Sequence, residues 1–133
     1  MNPVVHFEMP LKDKKRVSDF YTNVFGWEMK TMGQDYGGYV LAMTTESDEK
    51  GPLKPGAING GFWEAKEEKL PPPHLVISVD NLEESMKKVT EAGGKVIGGS
   101  KGEGKPDDIP GVGLYITIED CEGNHVGMLQ PTT

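Results

Sequence analysis

Three scarcities narrow this 133-residue chain before any motif is read. It has one cysteine, Cys121, so no intrachain disulfide can form and a reducing, cytoplasmic setting is expected. Cationic side chains are outnumbered, 14 Lys and Arg against 21 Asp and Glu, for a net charge of -7. With no basic stripe, neither a nucleic-acid backbone nor an anionic membrane surface is an expected partner. No apolar run approaches the roughly 20 residues of a membrane span. The N-terminus sets a histidine, acids and lysines where a secretory leader carries an apolar block. What remains is an acidic chain of one domain's length, long enough to bury a real core.

The positive signal is a repeat. Laid on one another without a gap at a step of 68 residues, His6–Gly26 and His74–Gly94 match Phe7 to Leu75, Met9 to Ile77, Leu11 to Val79 and Gly26 to Gly94. Identities are few (the histidines, Thr22 on Thr90, the glycines), but the pattern is shared. Each copy reads as a histidine opening an alternating strand, an amphipathic helix, a glycine stop and a second strand. Two similar supersecondary units are expected, burying one core between them.

Taken in order, Val4–Leu11 alternates, with Val5, Phe7 and Met9 on one face and Val4, His6 and Glu8 on the other. Asp13 can cap a helix whose apolar stripe is Val17, Phe20, Tyr21, Val24 and Phe25, and Gly26 supplies its left-handed stop. Short strands are expected over Trp27–Thr31, Tyr39–Thr45 and Ala57–Trp63, with the polar, Pro/Gly-rich ESDEKGPLKPG as a surface loop between the last two. Three prolines, Pro71 to Pro73, make a stiff extended link between the units. The second unit opens at His74, with Leu75, Ile77 and Val79 on one face. Asp80 or Asn81 caps a helix turning Leu82, Met86, Val89 and Ala92 inward. After Lys95–Ile97, the stretch GGSKGEGKPDDIPGVG reads as a long mobile loop of the kind that covers a site. Leu114–Glu119 and His125–Gln130 close the chain.

This βαβββ order, given twice, resembles the vicinal oxygen chelate superfamily, which includes glyoxalase I, extradiol dioxygenases and bleomycin-resistance proteins. The resemblance covers nearly the whole chain and is most specific in FYTNVFGWE, HLVISVDNLEE and DCEGNHVGMLQP. It implies an α+β fold of two tandem βαβββ units, forming a curved mixed sheet with helices on its outer face. The single glyoxalase-like domain would comprise a unit over about 1–66, a linker over 67–73 and a unit over about 74–133. Because that fold hosts lyases, isomerases, epimerases, dioxygenases and non-catalytic binders, it does not fix the activity. A homodimer is also expected from the resemblance.

In metal-dependent members of the superfamily, a residue from each of four strands binds a divalent cation in a cavity. The resemblance puts His6 and His74 on two of those positions, making a divalent metal ion the candidate cofactor. The 68-residue step puts Asn59 and Gly127 on the other two, where glyoxalase I has glutamates. Two neutral imidazoles leave such an ion without charge compensation, and Gly127 cannot act as a base. Glu8 and His125 are the remaining acid/base candidates. Each is displaced by two residues from an expected ligand position, roughly 6.6 Å along a strand. Glyoxalase I chemistry is therefore not expected. Of the aromatics, Phe62 belongs with the core beside Ile58, whereas Trp63 shares the cavity side with Asn59. Asn59, Trp63 and Gly127 are the expected ligand contacts.

Two features are set aside. Gly99 to Lys105 fits GxxxxGK, but Pro106 follows where a magnesium-binding Ser or Thr is required, and no strand and helix frame it. Cys121 lies in a turn among acids, a poor setting for a thiolate nucleophile. Two readings stay open: an enzyme acting on a small oxygenated metabolite, and a metal-free small-molecule binder like the bleomycin-resistance branch.

Overall fold

The computed structural model describes residues 1–132. The chain divides into two compact units: the segment His6–Pro73, and the chain from His74 onward together with Met1–Val5. The N-terminal residues group with the second unit because the Pro3 carbonyl accepts the Ser78 amide at 2.9 Å.

In the first unit, β1 (Val4–Leu11) leads into α1 (Lys14–Phe25), β2 (Glu28–Thr31) and β3 (Val40–Met43). A two-stranded hairpin of β4 (Ser47–Asp48) and β5 (Gly51–Pro52) follows, then β6 (Asn59–Glu64). The sheet order is β2-β3-β6-β1, with β6 and β1 parallel and the other neighbours antiparallel. Asp13 caps α1 by accepting the Arg16 amide at 2.9 Å. Gly26 ends it at a φ of 72°, a conformation that costs a residue with a Cβ.

The second unit repeats the plan. It runs β7 (His74–Ser78), α2 (Leu82–Glu91), β8 (Lys95–Gly99), β9 (Gly102–Glu103), β10 (Asp107–Ile109), β11 (Gly113–Glu119) and β12 (His125–Pro131). Its order is β7-β12-β11-β8-β9, with β7 and β12 parallel and β10 on β11. Asn81, the counterpart of Asp13, caps α2 through the Glu84 amide. The ends of β6 and β12 each tie down the start of their own helix. Glu64 pairs with Lys14 at 3.0 Å, and the Gln130 side-chain oxygen accepts the Leu82 amide at 2.8 Å.

Each unit has its own core, which corrects the expectation of one shared core. Leu11, Val40, Ala42 and Phe62 are buried in the first, packed by Phe7, Met9, Val17, Tyr21, Trp27 and Met29. Val79, Leu82, Ile116, Ile118 and Met128 are buried in the second. Phe62 is therefore core, as its side of the strand implied. The α1 stripe is narrower than its spacing suggested. Val17 and Tyr21 pack on the sheet, while Phe20, Val24 and Phe25 stay 53%, 57% and 60% exposed. Ala92 is likewise exposed rather than inward.

The glycine-rich stretch after β8 also departs from expectation. It folds back on itself, pairing Gly98 with Glu103 and Gly99 with Gly102 before β10 joins β11. The Asp107 carboxylate pins it by accepting the Ser100 amide and hydroxyl. Backbone donors of a long loop need partners, and here the chain supplies its own.

Candidate acid-base site

The alternation of β1 puts His6 and Glu8 on the face opposite Phe7 and Met9, which belong to the core. The parallel ladder sets His6 beside Asn59, Glu8 beside Gly61 and Pro10 beside Trp63. Paired residues point to the same side of a sheet, so Asn59, Gly61 and Trp63 share the face of His6 and Glu8. Tyr39 enters from the residue before β3. The space that a Cβ on Gly61 would fill is taken by the ring and hydroxyl of Tyr39. Crossing that glycine, the Tyr39 hydroxyl donates to Glu8 Oε2 at 2.7 Å and lies 2.8 Å from His6 Nε2. His6 Nε2 and Glu8 Oε1 are 3.7 Å apart.

Glu8 is only 14% exposed. Burial pushes its carboxyl up to about 7, and the Tyr39 hydrogen bond pulls in the opposite direction without offsetting it. A carboxyl that titrates near neutrality is matched to proton transfer at physiological pH. Glu8 thus sits with two partners able to give or take a proton.

The second unit contains the same frame with a different occupant. His74 Nε2 lies 3.1 Å from the Tyr115 hydroxyl, and Tyr115 crosses Gly127 as Tyr39 crosses Gly61. The ladder sets Gly127 beside Val76 and across from Thr117, just as Gly61 lies beside Glu8 and across from Leu41. Val76, 1% exposed, holds the place of Glu8. Burial, and secondarily the charge of His125, keeps the His74 imidazole below its ordinary value. His125 is 55% exposed and reaches Glu119 at 3.5 Å.

These registers correct the repeat arithmetic. The step is 68 residues from His6 to His74, but 76 from Tyr39 to Tyr115 and 66 from Gly61 to Gly127. The counterpart of Gly127 is therefore Gly61, and Asn59 corresponds to His125. Unequal loops between the strands account for the difference. Asn59 also spends both ends of its amide on the loop after β3. Its oxygen accepts the Thr44 amide, and its nitrogen donates to the Ser47 hydroxyl, each at 2.8 Å. On the same face, the Trp63 indole N–H is buried without a hydrogen-bond partner among the described residues. An unmet donor of that kind costs about 1–3 kcal/mol.

A divalent cation needs several convergent donors, with charge among them. Among the described residues, no three His, Cys, Asp or Glu side chains are placed to hold one. His6 and His74 belong to separate units, and His6 Nε2 is engaged with a tyrosine hydroxyl. Neither unit fits a resident metal by itself.

Sequence reasoning named His6, His74, Glu8 and His125 as candidates, and the structure adds Tyr39 and Tyr115 beside His6 and His74. The available signal was a glycine inside a strand, at Gly61 and Gly127, which marks the close approach of another group. The closing DCEGN motif has a local explanation. The Asp120 carboxylate accepts the amides of Glu122 and Asn124 and the Asn124 side-chain amide, so the acid and asparagine are what shape that turn. Cys121 is exposed in this turn.

The model of the family described as "Glyoxalase-like domain" matches residues 6–128. A curated protein of Mycobacterium tuberculosis named "Putative glyoxylase CFP32" is 29% identical over 128 residues, covering 92% of this chain and 43% of the relative. The chain thus spans less than half the length of that relative. Among solved structures, a variant of Streptomyces coelicolor methylmalonyl-CoA epimerase bound to 2-nitronate-propionyl-CoA superposes with a TM-score of 0.68 at 15% identity, over 100% of this chain and 96% of that one. The methylmalonyl-CoA epimerase of M. tuberculosis superposes at 0.67 with 12% identity, over 98% and 88%. Two βαβββ units with mixed sheets and two helices, and a family match over nearly the whole length, have one meaning: this chain belongs to the glyoxalase-like domain family of the vicinal oxygen chelate superfamily.

Proposed function

We propose that the chain binds a small oxygenated metabolite and moves a proton on it, in the manner of an isomerase, epimerase or lyase, with Glu8 as the acid/base. One observation carries this reading: a largely buried carboxyl, titrating near 7, hydrogen-bonded to a tyrosine that also contacts a histidine. Raising a carboxyl to neutrality costs stability, and sites of proton transfer are where such costs are retained. His6 and Tyr39 hold the proton network around Glu8. Trp63, with its unmet N–H on the same face, offers a donor to a ligand oxygen. Asn59 acts by anchoring the 44–47 loop. The chain works as a homodimer in the cytoplasm, and no helix among the described residues is long and apolar enough to cross a membrane.

The acyl-CoA ligands named for the fold neighbours make thioesters a sensible first panel. The test is solvent deuterium incorporation, followed by proton NMR, with methylmalonyl-CoA, simple 2-oxo acids and the methylglyoxal–glutathione hemithioacetal. Exchange at a carbon next to a carbonyl is expected for one class, reduced at least about 100-fold in Glu8→Gln. Exchange that survives Glu8→Gln unchanged would refute the assignment of the base.

A second reading, a non-catalytic binder, draws support from Val76 replacing the carboxylate in the second unit. Saturable ligand binding by calorimetry, with no exchange in any member of the panel, would favour it.

A further inference from the structure

We infer that Tyr39, seated over Gly61, is the positioning residue of the acid-base pair: its hydroxyl fixes the His6 ring with the hydrogen on Nε2. This deepens the acid-base reading above and rests on it for its role in catalysis. A phenol has one hydrogen, and with Glu8 ionised that of Tyr39 is given to Glu8 Oε2 at 2.7 Å. At 2.8 Å from His6 Nε2, the tyrosine oxygen is left to accept, so that ring nitrogen must donate. The histidine tautomer is thereby set by a residue 33 positions away that need never touch a substrate.

Two further features hold the tyrosine in place. Its backbone is clamped on both sides, the carbonyl accepting the Met32 amide at 2.7 Å and the amide donating to the Tyr36 carbonyl at 3.2 Å. Its ring occupies the volume that any Cβ at position 61 would need. Gly61 is thus part of the device, because the tyrosine can cross the strand only where no side chain stands. The second unit contains the same crossing, Tyr115 over Gly127 beside His74, with Val76 in place of the carboxylate. That second copy is an internal control for the first.

The experiment is side-chain NMR of the ligand-free chain labelled with ¹⁵N-histidine, at about pH 9, above the ordinary imidazole range. His6→Asn assigns the signal. The His6 Nε2 hydrogen is expected to be observable and slow to exchange with water. Tyr39→Phe, which keeps the ring and removes only the hydroxyl, should speed that exchange at least about tenfold, the scale of one lost hydrogen bond. Gly61→Ala should do the same by displacing the tyrosine. Gly127→Ala should leave His6 alone and disturb the His74 signal instead. If Tyr39→Phe changes His6 exchange by less than about twofold, the inference is wrong. Should Gly61→Ala fail to fold, Tyr39→Phe decides alone. Because no substrate is present, this result is independent of the deuterium assay: His6 can lose its hydrogen bond while Glu8 proves not to be the base, or the reverse.

Discussion

Glu8 and Val76 occupy the same place in the two units, each on the first strand, each beside a glycine that a tyrosine crosses. One is a carboxylate and the other is an apolar side chain only 1% exposed. Val76 shows that the position itself is a buried one, where valine needs no compensation. Placing a carboxyl there requires partners, and Tyr39 supplies the hydrogen bond. The desolvation is not fully offset, which is why the carboxyl retains its proton to about 7. The two units thus share a frame, and only the first places a carboxyl in it.

Glu8 should make the fold less stable as pH rises from about 4.5 to about 7. Its folded value lies above its unfolded one, so in that window the native state binds more protons than the unfolded chain, and stability falls with pH. The full effect is about 3 kcal/mol at most. Urea denaturation at about pH 5 and about pH 8 measures it, and Glu8→Gln, which cannot ionise, should flatten the difference. An unchanged difference in Glu8→Gln would assign it to other groups.

Gly61→Ala should destabilise the chain by about 1–3 kcal/mol, the range for overpacking a filled site. The added methyl meets the Tyr39 ring and hydroxyl. Gly33→Ala is the contrast, since a Cβ there meets nothing within 4 Å and the backbone φ is -70°. That second change should cost less than about 0.5 kcal/mol. Equal losses in thermal or urea denaturation would mean that Tyr39 moves aside freely.

Much of this fold was legible because its signals are local. Asp13, Asn81 and Gly26 mark helix ends by chemistry acting within a turn, and the period-two pattern of β1 separated Phe7 and Met9 from His6 and Glu8. The repeat step could be read through β1 and α1, where no residue is inserted. It could not be carried to β6 and β12, because unequal loops intervene and register there is set by pairing. Tyr39 and Tyr115 escaped for the same reason. Their partners lie 33 and 41 residues away, and neither position stands out in the apolar pattern. The exposure of Phe20, Val24 and Phe25 also ran against spacing. At about 100° per residue the five positions span roughly 140° of the helix, and only Val17 and Tyr21 within that arc pack on the sheet.

The chain should not turn over the methylglyoxal–glutathione hemithioacetal with added Ni²⁺ or Zn²⁺. No three metal-ligating side chains of the kinds that bind divalent ions converge among the described residues, and Gly127 is filled over by Tyr115. A turnover number in the usual enzyme range, about 1 to 10³ per second, would contradict this. On the same grounds, His6→Ala and His74→Ala should shift thermal stability without changing the metal content of purified protein. Stoichiometric metal lost in both variants would contradict this.

The last expectation concerns association. Phe20, Val24 and Phe25 leave an apolar face on α1, more than half exposed at each position. Their counterparts one repeat later are Lys88 in α2 and Ala92 and Gly93 at its C-terminal cap, so the second helix and its end carry polar or small residues at the same places. The aromatic contacts on α1 continue inward without a break. Phe20 meets Tyr21 at 5.0 Å between ring centres, and Tyr21 meets the buried Phe62 at 5.3 Å. A rigid aromatic platform of this sort is the usual composition of an interface centre, and a two-fold pair is the commonest way for soluble chains to cover one. The charge of -7 opposes self-association, but it is screened beyond about 8 Å at physiological salt. Light scattering at micromolar concentration should therefore give a mass near twice the 14.5 kDa of one chain. Phe20→Lys combined with Phe25→Lys should return it to one chain while the circular dichroism stays native. A single-chain mass for the unaltered protein would exclude the dimer, and a dimer that survives the double change would place its interface off α1.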